Sequence, residues 1–399
     1  MRSLLFIFIT LGAILGIVPP LFAQEGTTPP TRSPQTFNPE ISLNGLFSAA
    51  TFSDPEPLQF GAHDPDKRGF TLQNLELTLA GNVDPYFRGE AHLIFGLNKE
   101  GETVIEVEEA HLTTLSLPYG LQIMGGQFFT RFGRQNPLHP HTWDFADQTI
   151  VNTLMFGGDG LRNPGAQLSA LLPLPFYLEL IGSVQNAQGE TATSFLSTPE
   201  ETFAGRPIVA RKVDGAGDLL SLGRMKTSFD LSETVSFVAG ISHLVGPNGT
   251  GTGTKSRIQG IDLFLKWKPL SADHGWPFVT LQGEVMRRRY EAGEATLDDG
   301  TVLAQETFKT DGFYIQSLYG FKRRWVAGIR YEQADATDPV DPTSGKRWRA
   351  SPNLTFYPSE FSKIRLQYNH DKSDDRDGPI HAVFLQYEFL IGTHGAHIF

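Results

Sequence analysis

The chain has 399 residues, 0 Cys, 33 Lys and Arg against 44 Asp and Glu, and a formal net charge of -11. Without cysteine there is no disulfide framework and no thiolate metal site. The acidic balance argues against a nucleic-acid binder, whose footprint would be basic. The slightly negative mean hydropathy is far too polar for a bundle of membrane helices, but a transmembrane β-barrel escapes that test because only every second strand residue meets lipid.

Arg2 precedes an apolar run from Leu4 to Val18, followed by Pro19, Pro20 and Ala23. A short basic region, an apolar core and a small closing residue describe a secretory signal peptide over residues 1–23, with cleavage expected near Ala23. The run is shorter than the ~20 residues that a permanent helical anchor needs. Residues 24–39 (QEGTTPPTRSPQTFNP) are rich in Pro and Thr and read as a flexible periplasmic tail, too short for a folded plug. The rest, 40–399, reads as one barrel.

Strands are expected near Ile41–Phe52, Phe70–Val83, Tyr86–Leu97, Val104–Leu117, Leu121–Gly133, Pro164–Leu172, Phe176–Asn186 and Leu219–Leu231. They continue near Val235–Val245, Ile258–Lys268, Phe278–Tyr290, Gly312–Leu318, Trp325–Glu332, Arg347–Tyr357, Lys363–His370 and His381–Ile391. Every second connection is short, as at Asp84-Pro85 and Pro173-Leu174-Pro175, while the others are mostly long, as at Arg134–Asn163 and Ala187–Asp218. A Greek-key sandwich would not keep that parity. The fold expected is all-β: a transmembrane antiparallel up-and-down β-barrel of about 16 strands.

Side-chain alternation agrees. Ile261, Leu263, Leu265 and Trp267 alternate with Asp262, Lys266 and Lys268; Ile364, Leu366 and Tyr368 alternate with Lys363, Arg365 and Gln367. A charge facing lipid near the midplane costs ~2–4 kcal/mol, so these charges are expected to face a watery lumen. In the last segment Val383, Leu385, Tyr387, Phe389 and Ile391 share one parity and Gln386 and Glu388 the other, and the chain ends on Phe399. Such an ending resembles the signal read by the barrel-assembly machinery of bacterial outer membranes.

The third long connection, Arg134–Asn163, follows GGQFFTRFGRQN (Gly125–Asn136) and contains HPHTWDFADQT (His139–Thr149). In sixteen-stranded barrels of this kind the third outer loop folds inward. The expectation is a constriction carrying Arg131, Arg134, His139, His141, Asp144 and Asp147; the alternative is an outer loop packed by Trp143, Phe145 and Phe156. The stretch Gly125–Asp144 resembles the phosphate-selective porin O/P family and related zinc-regulated porin-like barrels. That resemblance implies a passive, anion-preferring channel, usually trimeric, with Arg and Lys down the lumen.

By parity the basic inward set is Arg88, Arg131, Arg224, Lys226, Lys266 and Lys268, then Arg288, Arg330, Arg347, Arg349, Lys363 and Arg365. The acidic inward set is Glu90, Glu106, Glu108, Asp262, Glu284, Glu332 and Glu388. A cationic lining favours anions; the alternative is that opposite charges pair across neighbouring strands. A register slip of one residue would reverse a strand's contribution.

His139 and His141, and His394 and His397, are the close histidine pairs, and imidazole suits zinc. Two ligands do not make a site and no third is identifiable, so no metal ligand is assigned. Acidic loop text at Asp298-Asp299, Asp335, Asp338, Asp341, Asp371, Asp374, Asp375 and Asp377 could hold cations bridging lipopolysaccharide. Gly249–Thr254 reads as low-complexity and mobile. A barrel-borne hydrolase would need an Asp/His or Ser/His constellation at one rim; Asp144, Asp147, His139 and His141 could in principle serve, but nothing in their spacing demands it. No Walker loop or dinucleotide fingerprint occurs, so no cofactor is expected. The reading is an outer-membrane diffusion channel for small ions and solutes with a tilt towards anions such as phosphate, in contact with lipid and lipopolysaccharide, with a homotrimer possible and no nucleic acid. The alternatives are a barrel for zinc uptake and a plugged receptor or structural barrel.

Overall fold

Alternation with a period of two places successive side chains on opposite faces of an extended chain, and sixteen such segments find each other in chain order. The computed structural model describes residues 39–97, 101–198, 202–209, 211, 213–336 and 345–392. Within them sixteen antiparallel strands form one closed barrel. The first eight are β1 (Glu40–Phe52), β2 (Gly69–Asn82), β3 (Phe87–Leu97), β4 (Thr103–Thr114), β5 (Leu121–Phe129), β6 (Arg162–Leu171), β7 (Tyr177–Asn186) and β8 (Leu219–Ser232). Then come β9 (Val235–Pro247), β10 (Lys255–Trp267), β11 (Phe278–Ala292), β12 (Glu306–Lys322), β13 (Trp325–Ala336), β14 (Gly345–Ser359), β15 (Ser362–Ser373) and β16 (Ile380–Gly392). β1 closes the cylinder on β16, from Ser42 opposite Gly392 to Phe52 opposite Ala382. Closure pairs the two edges of this sheet with each other.

Each expected segment corresponds to one strand, with its ends moved. The largest shift is at β12, where pairing with β11 continues through Arg288 opposite Thr310 to Ala292 opposite Glu306. The segment expected to reach Gly133 stops at Phe129, so Arg131 lies in the loop that follows. The expected signal peptide, the tail up to residue 38, and His394, His397 and Phe399 lie outside the described residues.

The two faces separate as alternation requires. Leu263 is 47% exposed and Val285 60%, while Asp262 and Glu284 between them are nearly fully buried. Two expectations need correcting. Asn248 and Thr250 are buried, and Asn248 Oδ1 accepts hydrogen bonds from Thr250 Oγ1 (2.8 Å) and Thr254 Oγ1 (2.7 Å); the Gly- and Thr-rich turn is packed around its own asparagine. Asp371 is no outer-loop acid, since it sits on β15 with its carboxylate 2.6 Å from Arg347.

Candidate functional site

The inside of the barrel is occupied by the third long connection, residues 130–161, and its path can be followed by the wall groups that hold it. After β5 the chain turns at Gly133, whose φ of +61° is a conformation other residues seldom adopt. There Glu284 of β11 accepts backbone N–H bonds from Arg134 (3.0 Å) and Gln135 (2.7 Å). The loop then runs to the β2–β4 wall at His139, past Lys363, which donates to the His141 carbonyl (2.5 Å), and past Arg365, which donates to the Trp143 carbonyl (2.9 Å). Asp144 accepts from Gln316 (2.8 Å). Arg349 donates to the Gln148 carbonyl (2.6 Å), and Glu332 accepts from the Ile150 amide (2.6 Å). Helix α1 (Ile150–Phe156) completes the circuit, with Arg288 donating to the Leu154 carbonyl (3.0 Å).

Helix α1 also explains why the inward face is not polar throughout. Val151, Met155 and Phe156 pack with Leu222, Leu244, Ile258, Met286 and Tyr314 of the β8–β12 wall. Burying such side chains contributes ~1.5–3 kcal/mol each, so the wall carries an apolar seat for the loop. That seat was not read from the sequence.

The basic residues expected on the inward face divide into two groups. Arg330 and Arg349 both reach Asp147 (2.6 and 2.9 Å) and share Glu332; Arg224 pairs with Asp262 (2.8 Å), Arg347 with Asp371, and Lys363 with Glu388 (2.5 Å). Arg365 is bonded to Gln386 and Trp143. These groups are spent on neighbours, which corrects the picture of a continuous free ladder: local parity cannot report which charges meet across strands. Arg131, Arg134, Lys226 and Lys266 make no ion pair among the described residues. Arg134 lies over the Phe264 ring (4.3 Å), and Lys226 and Lys266 lie over Tyr177 and Phe278 (5.6 and 5.8 Å). Arg88 pairs with Glu40 (2.6 Å) near one rim.

His139 and His141 meet partners that sequence reasoning did not assign. Glu76 of β2 lies 3.0 Å from His141 Nδ1 and 3.4 Å from His139 Nδ1, and it also pairs with His92 of β3 (2.8 Å). Glu108 and Glu109 lie 2.7 and 2.9 Å from the two nitrogens of His139. Both glutamates face inward because Glu108 is the extra residue of a bulge, with Glu109 opposite His92 and Val107 opposite Leu93. Burial works against the His139 imidazolium, but Glu76 and Glu108 outweigh it and hold its proton well above the ordinary imidazole range. The candidate Asp/His constellation does not assemble: among the described residues no hydrogen bond or ion pair joins Asp144 or Asp147 to His139 or His141.

A second loop, residues 53–68, clamps the third. Asp64 accepts the Gln148 amide (2.7 Å) and the Gly61 amide (3.0 Å). Burial and then the nearby Asp147 carboxylate push Asp64 up to about 7, while Arg349 and the two amides oppose the rise. Asp147 itself is pushed up by burial but pulled further down by Arg349 and Arg330, to about 2. A carboxyl raised on folding stabilises the docked state fully below its unfolded value, and the contribution is lost as pH rises to the folded value. The docked loops are therefore expected to lose stability between about pH 4 and pH 7, at up to roughly 1.4 kcal/mol per pH unit for this group. Hydrogen exchange of residues 58–64 should speed up over that window, and Asp64→Asn should flatten the dependence.

No protein-family model matches the chain. A protein of Aquifex aeolicus (strain VF5), described as uncharacterized, is 36% identical over 358 residues, covering 84% of this chain and 71% of that one. The anion-selective porin from Comamonas acidovorans superposes with a TM-score of 0.53 at 10% identity, covering 89% of this chain and 100% of that one. In-vitro folded OmpT of Vibrio cholerae, in its trimer form, gives 0.52 at 8% identity, covering 89% and 99%. OprB of Pseudomonas putida gives 0.52 at 11% identity, covering 89% and 94%. These identities carry the fold alone, a closed sixteen-stranded antiparallel barrel that outer-membrane porins share, and the phosphate-selective family is not singled out.

Proposed function

This chain belongs to the same family as the Aquifex aeolicus protein, and we propose that it is a passive diffusion channel of a Gram-negative outer membrane, narrowed by its third loop and tilted towards small anions. The observation that carries this reading is the loop 130–161 folded inside the cylinder and tied to the wall, from Glu284 on β11 round to Arg288. A loop so held narrows a passage without an energy source. The anion tilt rests on Arg131, Arg134, Lys226 and Lys266, which make no ion pair among the described residues, whereas Asp147, Asp262 and Glu388 are paired with guanidinium or ammonium groups. An anion can exchange part of its hydration for these donors and move down its gradient. Of the remaining pore-lining candidates, Arg288, Arg330, Arg349 and Arg365 would position the third loop rather than meet solute, Arg347 would hold the Leu58 carbonyl of the neighbouring loop, and Arg224 would be spent on Asp262.

The proposal includes export by residues 1–23, insertion through the terminal strand, and a homotrimer, for which the trimeric form of a porin-type neighbour is the support. Its lipid face is testable: Leu263→Arg puts a cation on an outward position and should cost ~2–4 kcal/mol if that position lies at the bilayer midplane, read as a fall in folding stability in lipid vesicles. The rival reading, a plugged barrel, is favoured by the burial of Arg330, Arg349 and Arg365 against the loop. Swelling of proteoliposomes separates the two. A channel gives swelling rates that fall steadily as neutral solutes grow; rates equal to protein-free vesicles for every solute would contradict it.

A further inference from the structure

We propose that Glu76, His92 and His139 form a site for a transition-type divalent cation such as Zn2+, and that the bound cation fastens the third loop to the β2–β4 wall. One donor atom from each of the three lies within 4.8 Å of the others. They come from β2, β3 and the loop, so the site exists only while the loop is folded inward. His139 Nδ1 lies 3.4 Å from Glu76 Oε2, close to the ~3.3 Å between two donors on a tetrahedral centre with bonds near 2.0–2.1 Å. His92 also turns Nδ1 towards Glu76 (2.8 Å), and the two imidazole rings lie 4.4 Å apart between centroids.

The outer nitrogens complete the pattern. His92 Nε2 is held by Glu90 (2.9 Å) and His139 Nε2 by Glu109 (2.9 Å). A carboxylate behind each ring fixes its tautomer and raises its basicity, which is how metal-ligating histidines are commonly supported. A separate observation comes from Glu108, which is 1% exposed. Its Oε2 lies 2.7 Å from His139 Nδ1, yet neither atom makes an aligned hydrogen bond. Glu108 is thus a buried carboxylate pressed against the ring of one ligand, beside the three donors that lie together. Two imidazoles with carboxylates suit Zn2+ and its neighbours, whereas Ca2+ and Mg2+ favour all-oxygen sets. The site does not depend on the channel reading, because a plugged barrel with this loop would bind the cation equally.

The test is calorimetric titration of the chelator-treated, folded barrel in detergent with ZnCl2. One Zn2+ per chain is expected, undisturbed by Ca2+, with a rise in melting temperature. His92→Gln and His139→Gln should lose stoichiometric binding and the thermal shift, and Glu109→Gln should weaken binding roughly 10–100-fold. Barrel folding of each variant is checked by circular dichroism. X-ray absorption of the wild-type complex should show imidazole scattering and needs no variant. Absence of wild-type binding, binding unchanged in both histidine variants, or a spectrum without imidazole would overturn the proposal.

Discussion

Asp147→Ala is expected to release the third loop from the β13–β15 wall, lowering the barrel's melting temperature and raising channel conductance several-fold. The Asp147 carboxylate accepts from four donors: Arg330 (2.6 Å), Arg349 (2.9 Å), Gln367 (2.8 Å) and Asn369 (2.6 Å). Both guanidiniums are 1% exposed. Removing the acid leaves them with Glu332 as their shared close carboxylate and Asp371 at 3.8 Å from Arg349. Breaking a buried pair by deleting one partner costs ~3–5 kcal/mol, because the charge left behind is uncompensated. That exceeds what one apolar side chain of α1 contributes, so the cheapest relaxation is for the segment around Asp147 to lift locally and admit water, while the α1 seat and the Glu284 anchor stay in place. Thermal melts in detergent and single-channel steps check the two halves of this result. The variant should also lose much of the pH dependence between about pH 4 and pH 7, since Asp147 is part of what raises Asp64.

If the proposed anion preference holds, Lys226→Glu combined with Lys266→Glu is expected to turn the pore towards cations. Lys226 stands on β8 opposite Glu179 of β7 without pairing with it, and Lys266 stands on β10 opposite Ser236 and Thr280. Neither holds the third loop, so the double change alters lining charge and leaves the loop's anchors in place. Interactions with a narrow, low-dielectric lining weigh far more on permeant ions than the same charges would in water. The reversal potential in a KCl gradient should change sign. Arg349→Gln, an anchor and not a lining charge, should affect stability and leave the sign as it is.

The barrel was legible because a period of two and the short-long parity of connections are local properties of the text. Alternation such as Leu263, Lys266 and Trp267 reports a face without knowledge of any partner. The anchors of the third loop were not legible, because they join residues far apart in sequence: Gln135 to Glu284, Trp143 to Arg365, Asp147 to Arg330. Nothing in a single strand says that its arginine will meet a loop carbonyl. Parity alone could have found Glu76 and His92, since both are polar residues on the inward parity of apolar strands, and Glu90 was read on that same face. It could not have found Glu109, since the bulge at Glu108 turns two consecutive glutamates inward and breaks the period. The helix seat was hidden for a related reason: Leu222, Ile258 and Met286 are apolar residues on the lumen side, where alternation expects polar ones.

The most direct measurement is a planar-bilayer recording of the purified wild-type barrel across a KCl gradient. Discrete, steady steps with current proportional to voltage and a reversal potential displaced to the chloride side are the predicted outcome. Bilayers that stay silent although folded barrel has inserted would contradict an open passive channel.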